Sequence, residues 1–130
     1  MIPARLGSKR VKNKNLRLID GIPLIQYIVN AAKDSEMLDE IYINSESELF
    51  KPIAKDSGIS FYQRPEHLST DIATNDDFAL DFIENIDCDI LIQLLPTSPF
   101  ISAGEIDKFI NAMIEGKFET MISVADVKIE

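Results

Sequence analysis

Length, composition and charge limit what this chain can be. Its 130 residues are 45% hydrophobic and carry a formal net charge of −9, which predicts one soluble domain with its own core. No apolar run approaches the roughly 18 residues that span a membrane, and no signal peptide is predicted because the basic segment follows a very short apolar start. The single cysteine, Cys88, excludes an internal disulfide. We predict a cytoplasmic protein in which Cys88 is a small buried residue at a strand edge.

Positive charge is concentrated at the amino end of the chain. Of the 13 Lys and Arg residues, six lie in the first 17 positions, which contain no acid. The rest of the chain carries 7 bases against all 22 acids, so its formal charge is −15. The basic segment contains Gly7-Ser8 and follows an apolar start that resembles the end of a strand, which favours a phosphate-binding loop. A solvated basic arm stays an alternative, and nucleic-acid binding ranks last because the remainder is acidic.

Helix-like and strand-like segments alternate along the rest of the chain. The alternation predicts right-handed βαβ units. We expect one α/β domain over residues 1–130, a three-layer α/β/α sandwich with a mostly parallel sheet. Hydrophobic spacing predicts, in order, a helix at 23–35, a strand at 40–44, a helix at 47–57 with Pro52 delaying its first turn and Gly58 ending it, a strand at 59–63, a helix at 75–86, a strand at 89–95, a helix at 103–114 and a strand at 120–127.

Three polar loops are predicted to meet at one edge of this sheet. In open α/β sheets, ligands bind outside the carboxyl ends of the strands. The basic loop follows the first strand, residues 64–75 follow the third, and residues 96–100 follow the nearly continuous apolar segment 89–95. The chain contains neither G-x-G-x-x-G nor G-x-x-x-x-G-K-[ST], so neither a dinucleotide-binding fingerprint nor a P-loop is predicted.

These loops carry a resemblance to a known family. Residues 2–10, I-P-A-R-L-G-S-K-R, followed by Lys14-Asn15, resemble the signature of the acylneuraminate (sialic acid) cytidylyltransferases. Residues 64–73, R-P-E-H-L-S-T-D-I-A, and residues 96–99, P-T-S-P, resemble the second and third motifs of that family, in the same order and spacing. The resemblance implies a nucleotide-diphospho-sugar transferase (Rossmann-like) fold. It also implies transfer of CMP from CTP to the anomeric hydroxyl of a nonulosonic acid, with release of pyrophosphate and with Mg²⁺.

The resemblance also implies roles for individual residues. Cations and backbone donors of the basic loop would bind the triphosphate, with Lys14 near the transferred phosphoryl group and Asn15 near the reacting centre. Ala73, through its backbone, and Asn75 would read the cytosine edge. The implied set is Arg5, Lys14 and Asn15 for catalysis, and Arg5, Gly7, Ser8, Lys9, Ala73, Asn75, Gln93, Thr97 and Ser98 for nucleotide binding.

Other polar residues are weaker candidates. The cations Arg10, Lys12 and Arg17 are as well explained by solvated loop charge as by phosphate contact. His67 fits an ordinary loop position better than a general base. Asp71, in a Ser-Thr-Asp turn, is predicted to cap backbone N–H groups rather than to bind a metal. The carboxylates at 76 and 77 suit the start of a helix.

Departures from the family pattern leave alternatives open. Leu95 stands where many relatives have Gln, for which Gln93 on the same face is a substitute, and Asn75 stands where Ser is common. Family members continue well beyond 130 residues, so we expect a C-terminally truncated chain that lacks the metal ligands and a dimerisation segment, with weak CTP binding and no turnover by itself. A Kdo, legionaminic or pseudaminic acid cytidylyltransferase and a non-catalytic nucleotide-binding or interaction module are the alternatives.

Overall fold

The structure is a computed structural model that describes residues 1–124 and 126. Short 3₁₀ helices cover Lys14–Leu16, Glu48–Phe50 and Glu66–Ser69. The other elements are, in chain order, β1 (Ile2–Pro3), β2 (Leu18–Ile19), β3 (Ile22–Pro23), α1 (Leu24–Asp34), β4 (Tyr42–Ser45), α2 (Lys51–Ser57), β5 (Ser60–Gln63), α3 (Asn75–Asn85) and α4 (Ala103–Gly116).

A parallel sheet in the order β1–β4–β5 forms the centre of the fold. Its register places Ile2 opposite Ile43 and Ile43 opposite Phe61. On the free side of β1, the Met1 amine donates to the Ile92 carbonyl at 2.8 Å and the Leu94 N–H donates to the Met1 carbonyl at 3.0 Å, which is the bonding of a parallel pair. The predicted strand at 89–95 is wrong as a regular strand, because its neighbour β1 is only two residues long.

The sheet is covered on both faces, as the alternation of elements predicts. Strand residues point alternately to opposite faces. Ile2 and Ile43 pack with the buried faces of α1, α2 and α4, while Met1 packs with Phe78 and Phe82 of α3. In α1 the buried residues Ile25, Ile28, Val29 and Ala32 recur at helical spacing. The three-layer α/β sandwich is confirmed.

Local signals in the sequence set the helix ends. Pro52 lies in the first turn of α2, and Gly58 ends that helix with φ 70°, a left-handed conformation that glycine adopts readily. Helix α3 begins with a capping box: the Thr74 hydroxyl accepts from the Asp77 N–H at 3.2 Å, and the Asp77 carboxylate accepts from the Thr74 N–H at 2.7 Å. Both helices end within one residue of their predicted positions and α3 begins at its predicted residue, whereas α2 begins only at Lys51, after the 3₁₀ helix Glu48–Phe50.

Three further features differ from prediction. Strands β2 and β3 form an unpredicted antiparallel hairpin, turned by Asp20 (φ 50°) and Gly21 (φ 76°). Residues 120–124 and 126 are not in a strand, and the remaining positions of the strand predicted at 120–127 lie outside the described residues. Cys88 is exposed rather than buried, as are the neighbouring residues 87, 89 and 90. Within the described residues, no helix is long and apolar enough to cross a membrane.

Candidate functional site

The basic segment is folded back onto the sheet. As it leaves β1, the Ala4 N–H donates to the Asn44 carbonyl at 2.9 Å, and the Leu6 N–H donates to Glu46 Oε1 at 2.7 Å. Asn15 is buried, and its Nδ2 donates to the Arg5 carbonyl at 3.1 Å. These bonds close the segment into a loop at the carboxyl end of β4, which is the placement of a ligand loop and not that of a free arm.

Two cations of this loop converge on Asp71. Arg5 Nη1 lies 3.1 Å from Asp71 Oδ1, and Lys9 Nζ lies 2.9 Å from Oδ2. Hydrogen bonds from Lys9 and then Arg5 hold the pKa of Asp71 below its usual value. The prediction that Asp71 caps backbone N–H groups is wrong, because both of its oxygens face side-chain cations. The contact ties the basic loop to the loop after β5.

Arg64, directly after β5, is a buried cation. Its side chain is 3% exposed, and its guanidinium donates to Asn44 twice, from Nε to Oδ1 at 2.7 Å and from Nη2 to the carbonyl at 3.0 Å. The guanidinium also lies 4.0 Å from the centroid of the Phe78 ring. Burial lowers the pKa of Arg64 to about 10. In the described part of the chain it forms no ion pair with an acid, which is unusual for a buried charge.

Arg64 and Arg5 line one cavity of about 270 Å³ at the carboxyl ends of the strands. The predicted base-reading residues Ala73 and Asn75 line it too, as do Asp71 and Ser69. The Ser69 Oγ is buried and has no hydrogen-bond partner among the described atoms. A buried polar group without a partner is costly, so the cavity presents both a cation and an unused hydroxyl to whatever enters it.

The remaining predicted site residues lie around this cavity and do not line it. Lys9 forms an ion pair with Asp71, which lines the cavity, and the Asn15 side chain donates a hydrogen bond to the backbone carbonyl of Arg5. Gly7, Ser8 and Lys14 lie in the basic loop, while Thr97 and Ser98 are exposed in the loop after segment 89–95. Gln93 is half-buried opposite Met1. The exposed His67 lies in the 3₁₀ helix Glu66–Ser69, and its backbone carbonyl accepts a hydrogen bond from the Thr70 hydroxyl.

Two residues of the site were not predicted to have a role. Arg64 was read only as part of a motif, and Asn44, fully buried at the end of β4, was read only as a strand residue. A polar side chain at the carboxyl end of a buried parallel strand is the signal that could have identified Asn44. An arginine next to that same edge, followed by a proline, could have identified Arg64.

The residues present do not form a divalent-cation site of their own. Among the described residues, no three His, Cys, Asp or Glu side chains lie close enough together to hold a metal. Asp71, the carboxylate at the cavity, already faces two cations, which would repel a third. We therefore derive no step through Mg²⁺ for this part of the chain.

A larger cavity of about 590 Å³ lies at the opposite end of the sheet. It is bounded by Met1, Tyr42, Phe82 and the exposed Cys88, near the amino ends of the strands. None of the predicted site residues lines it. Because α/β sheets bind ligands at the carboxyl ends of their strands, the smaller cavity is the candidate functional site.

Fold and site together define an α/β domain with a ligand site that is lined by cationic side chains and lies at the carboxyl ends of parallel strands. The chain belongs to the cytidylyltransferase family, whose sequence profile matches residues 1–129. It is 40% identical over 103 residues to the N-acylneuraminate cytidylyltransferase of Escherichia coli O18:K1:H7, covering 77% of this chain and 24% of the relative. The enzyme of the same name from Streptococcus agalactiae serotype V is 33% identical over 131 residues, covering 98% and 32%.

Other similar proteins extend this comparison. The chain is 39% identical over 106 residues to the CMP-N,N'-diacetyllegionaminic acid synthase of Legionella pneumophila, covering 77% of the chain and 46% of the relative. A solved structure of CMP:2-keto-3-deoxy-manno-octonic acid synthetase complexed with CTP has the same fold, with a TM-score of 0.78, 22% identity and coverage of 89% and 46%. The chain thus spans about a quarter to a half of the length of these relatives.

Proposed function

We propose that this chain supplies the CTP-binding part of a cytidylyltransferase. The enzyme would transfer CMP from CTP to the anomeric hydroxyl of a nonulosonic, sialic-type acid and release pyrophosphate. One observation carries the proposal: the buried guanidinium of Arg64, which forms no ion pair among the described residues, lines the same cavity as Arg5, Ala73 and Asn75. A buried cation without a carboxylate partner favours a site that is completed by an electron-rich ligand.

The dimensions of the cavity support binding of a base inside it and of the phosphates outside it. At about 270 Å³ it is at the small end of ligand pockets, which begin near 300 Å³. A single pyrimidine fits that size better than a whole nucleotide. Arg64 and the unpartnered Ser69 hydroxyl supply donors to the cavity, which Ala73 and Asn75 also line. A base held by such donors is well discriminated, because a wrong base leaves buried polar groups unpaired.

The phosphates would then extend over the basic loop. Arg5 and Lys9 are already close enough together to share one anion, and in the described structure the N–H groups of Gly7 and Ser8 make no hydrogen bond within the protein. Lys14 and Asn15 follow on the same loop, and Gln93, Thr97 and Ser98 lie on the neighbouring one. In this arrangement the protein mainly positions the reactants and neutralises charge.

The reaction itself is a single displacement at phosphorus. The anomeric oxygen forms a bond to the α-phosphorus while the bond from that phosphorus to the bridging oxygen breaks, and pyrophosphate leaves with the electron pair. The hydroxyl proton is lost to solvent or to a base. Lys14 would stabilise the charge that develops on the transferred phosphoryl group, and Asn15 would orient the attacking sugar.

The finer parts of the proposal rest on family resemblance. They are Mg²⁺ as the cation that accompanies CTP, a homodimeric cytoplasmic enzyme, and a role in building lipopolysaccharide or capsule. A sialic acid is preferred as acceptor because the relatives from Escherichia coli and Streptococcus carry that name. Legionaminic acid is the next candidate, since the Legionella relative has a similar percentage of identical residues. Kdo and pseudaminic acid follow.

Nucleotide binding by the chain tests the proposal directly. We expect CTP to raise the melting temperature of the protein more than UTP or ATP does, since a ligand that binds only the native state stabilises it. Lys9→Ala should reduce this shift, whereas Lys33→Ala, an equal charge change at an exposed position on α1, should preserve it. The absence of a shift with every nucleoside triphosphate would instead favour the non-catalytic module.

A further inference from the structure

Asp71 stands where an anionic ligand would be expected. Its two carboxylate oxygens are divided between two cations, with Arg5 3.1 Å from Oδ1 and Lys9 2.9 Å from Oδ2. Two oxygens of one phosphate can be shared between two cations in the same way. The carboxylate is also accessible, because the Asp71 side chain is 49% exposed and that of Lys9 is 79% exposed.

We propose that Asp71 is an internal counter-ion that competes with the ligand's phosphates for Arg5 and Lys9. The inference rests on the proposed function, in which those two cations bind the triphosphate. A phosphate oxygen cannot share this space with the carboxylate, because like charges at such a distance repel. Binding therefore breaks both ion pairs and exchanges one anion for another. Asp71 is a positioning residue, since it keeps the two cations together while the site is empty.

The surroundings of Asp71 allow it to leave. The 3₁₀ helix Glu66–Ser69 precedes it, and the Thr74 capping box of α3 follows it. Between these anchors, residues 70–73 make no backbone hydrogen bond to another element in the described structure. Their tie to the basic loop is the Asp71 carboxylate, together with a long 3.5 Å contact from Arg5 to the Ser69 carbonyl. Displacing the carboxylate therefore releases residues 70–73, which include the base-contacting Ala73.

Removing the carboxylate should strengthen phosphate binding. The test compares wild type with Asp71→Asn, using isothermal titration calorimetry with CTP and with sodium tripolyphosphate at fixed ionic strength. In wild type, ligand binding must break two exposed ion pairs, each of which contributes little free energy. Asp71→Asn removes this cost, so we expect it to bind both ligands about 3- to 10-fold more tightly. Asp76→Asn makes the same charge change at an exposed position without contacting either cation, and should change affinity by less than about twofold.

Further readouts separate competition from a purely structural role. The dissociation constant of Asp71→Asn should depend more steeply on salt than that of wild type, because its cations attract solution anions that the ligand must release. The backbone of residues 70–73 without ligand should have lower NMR order parameters in Asp71→Asn than in wild type. Asp71→Glu, which keeps the charge, should bind close to wild type. Unchanged or weaker binding of tripolyphosphate by Asp71→Asn, or unchanged order parameters at residues 70–73, would overturn the inference.

Tripolyphosphate has no base, so the two proposals can fail separately. If wild type binds tripolyphosphate but gains nothing from the cytidine of CTP, the proposed function fails while the role of Asp71 can still be judged. If CTP binds selectively but Asp71→Asn is no tighter for either ligand, only the counter-ion inference fails. If neither ligand binds either protein, both proposals fail.

Discussion

Replacing Arg64 with Met is expected to weaken ligand binding while leaving the protein folded. The substitution removes two hydrogen bonds from the guanidinium to Asn44, at 2.7 and 3.0 Å, each worth about 1.5–3 kcal/mol for a charged donor. It also removes the penalty of burying the charge. The fall in the pKa of Arg64 from 12.5 to about 10 corresponds to about 3 kcal/mol. The two effects oppose each other, so we expect the free energy of unfolding to fall by no more than about 3 kcal/mol.

The nucleotide affinity should respond differently. The variant loses the buried cation of the cavity, and a charge-assisted hydrogen bond to a ligand contributes about 1.5–3 kcal/mol. We therefore expect the dissociation constant for CTP to rise by about 10- to 100-fold. Urea denaturation followed by circular dichroism measures the stability, and titration calorimetry measures the affinity. Lys108→Met, the same loss of charge at an exposed position on α4, is the control.

Two results would refute this reasoning. A loss of more than about 4 kcal/mol in unfolding free energy would mean that Arg64 is chiefly a structural donor to Asn44. An affinity for CTP within twofold of wild type, in a folded variant, would mean that the cavity does not use this cation.

Three further outcomes follow from contacts elsewhere. Thr74→Ala removes the hydroxyl of the α3 capping box and should lower the free energy of unfolding by about 1 kcal/mol in urea denaturation. Glu46→Gln weakens the bond that the Leu6 N–H donates to this side chain, so the basic loop should exchange its amide protons faster in NMR. Hydrogen bonds from Ser35 and from backbone N–H groups hold the pKa of Asp107 below its usual 3.8. The ionised Asp107 carboxylate therefore stabilises the fold fully above about pH 4, and this stabilisation is lost as the pH falls further. We expect Asp107→Asn to make the free energy of unfolding depend less on pH in the acid range.

Most of the fold could be predicted because local and global signals agree. The helices α1, α3 and α4 combine apolar residues at helical spacing with a proline or a capping residue at the start. These signals lie within a few residues of one another along the chain, so the helices can be predicted from the local sequence. The parallel sheet followed from the alternation of helices and strands.

The errors concern interactions that depend on distant neighbours. A strand is regular only where another strand pairs with it, and the apolar run at 89–95 has two residues of β1 beside it. Burial of Cys88 was inferred from that same strand and failed with it. The β2–β3 hairpin, by contrast, has a local signal that was overlooked: Asp20-Gly21 is a preferred pair for a two-residue turn with both φ angles positive.

Part of the lining of the candidate cavity could be located from sequence motifs, while its use by a nucleotide stays a prediction. Motif positions identified Arg5, Ala73 and Asn75, which the fold brings to one cavity. The pairing of Asp71 with Arg5 and Lys9 joins residues more than 60 positions apart. Neither the spacing of residues along the chain nor the composition indicates that these three side chains are in contact. Arg64 illustrates a related difficulty, since only the structure reveals that its charge is buried without an acid.

Asn44 has a consequence for how this surface can change during evolution or redesign. Its carbonyl accepts from Ala4, at the root of the basic loop, and it also accepts twice from Arg64, at the root of the loop after β5. One residue thus contacts both loops, the basic loop through its backbone carbonyl and the loop after β5 through that carbonyl and its side-chain Oδ1. We expect positions 44 and 64 to covary among homologues, because the Asn44 side chain accepts from Arg64, and a library that varies the cavity-lining residues 73 and 75 should keep this pair fixed. Substitution of Asn44 would remove the Oδ1 acceptor of Arg64 and leave the backbone bond from Ala4 in place, so the loop after β5 could change position while the basic loop keeps its anchor.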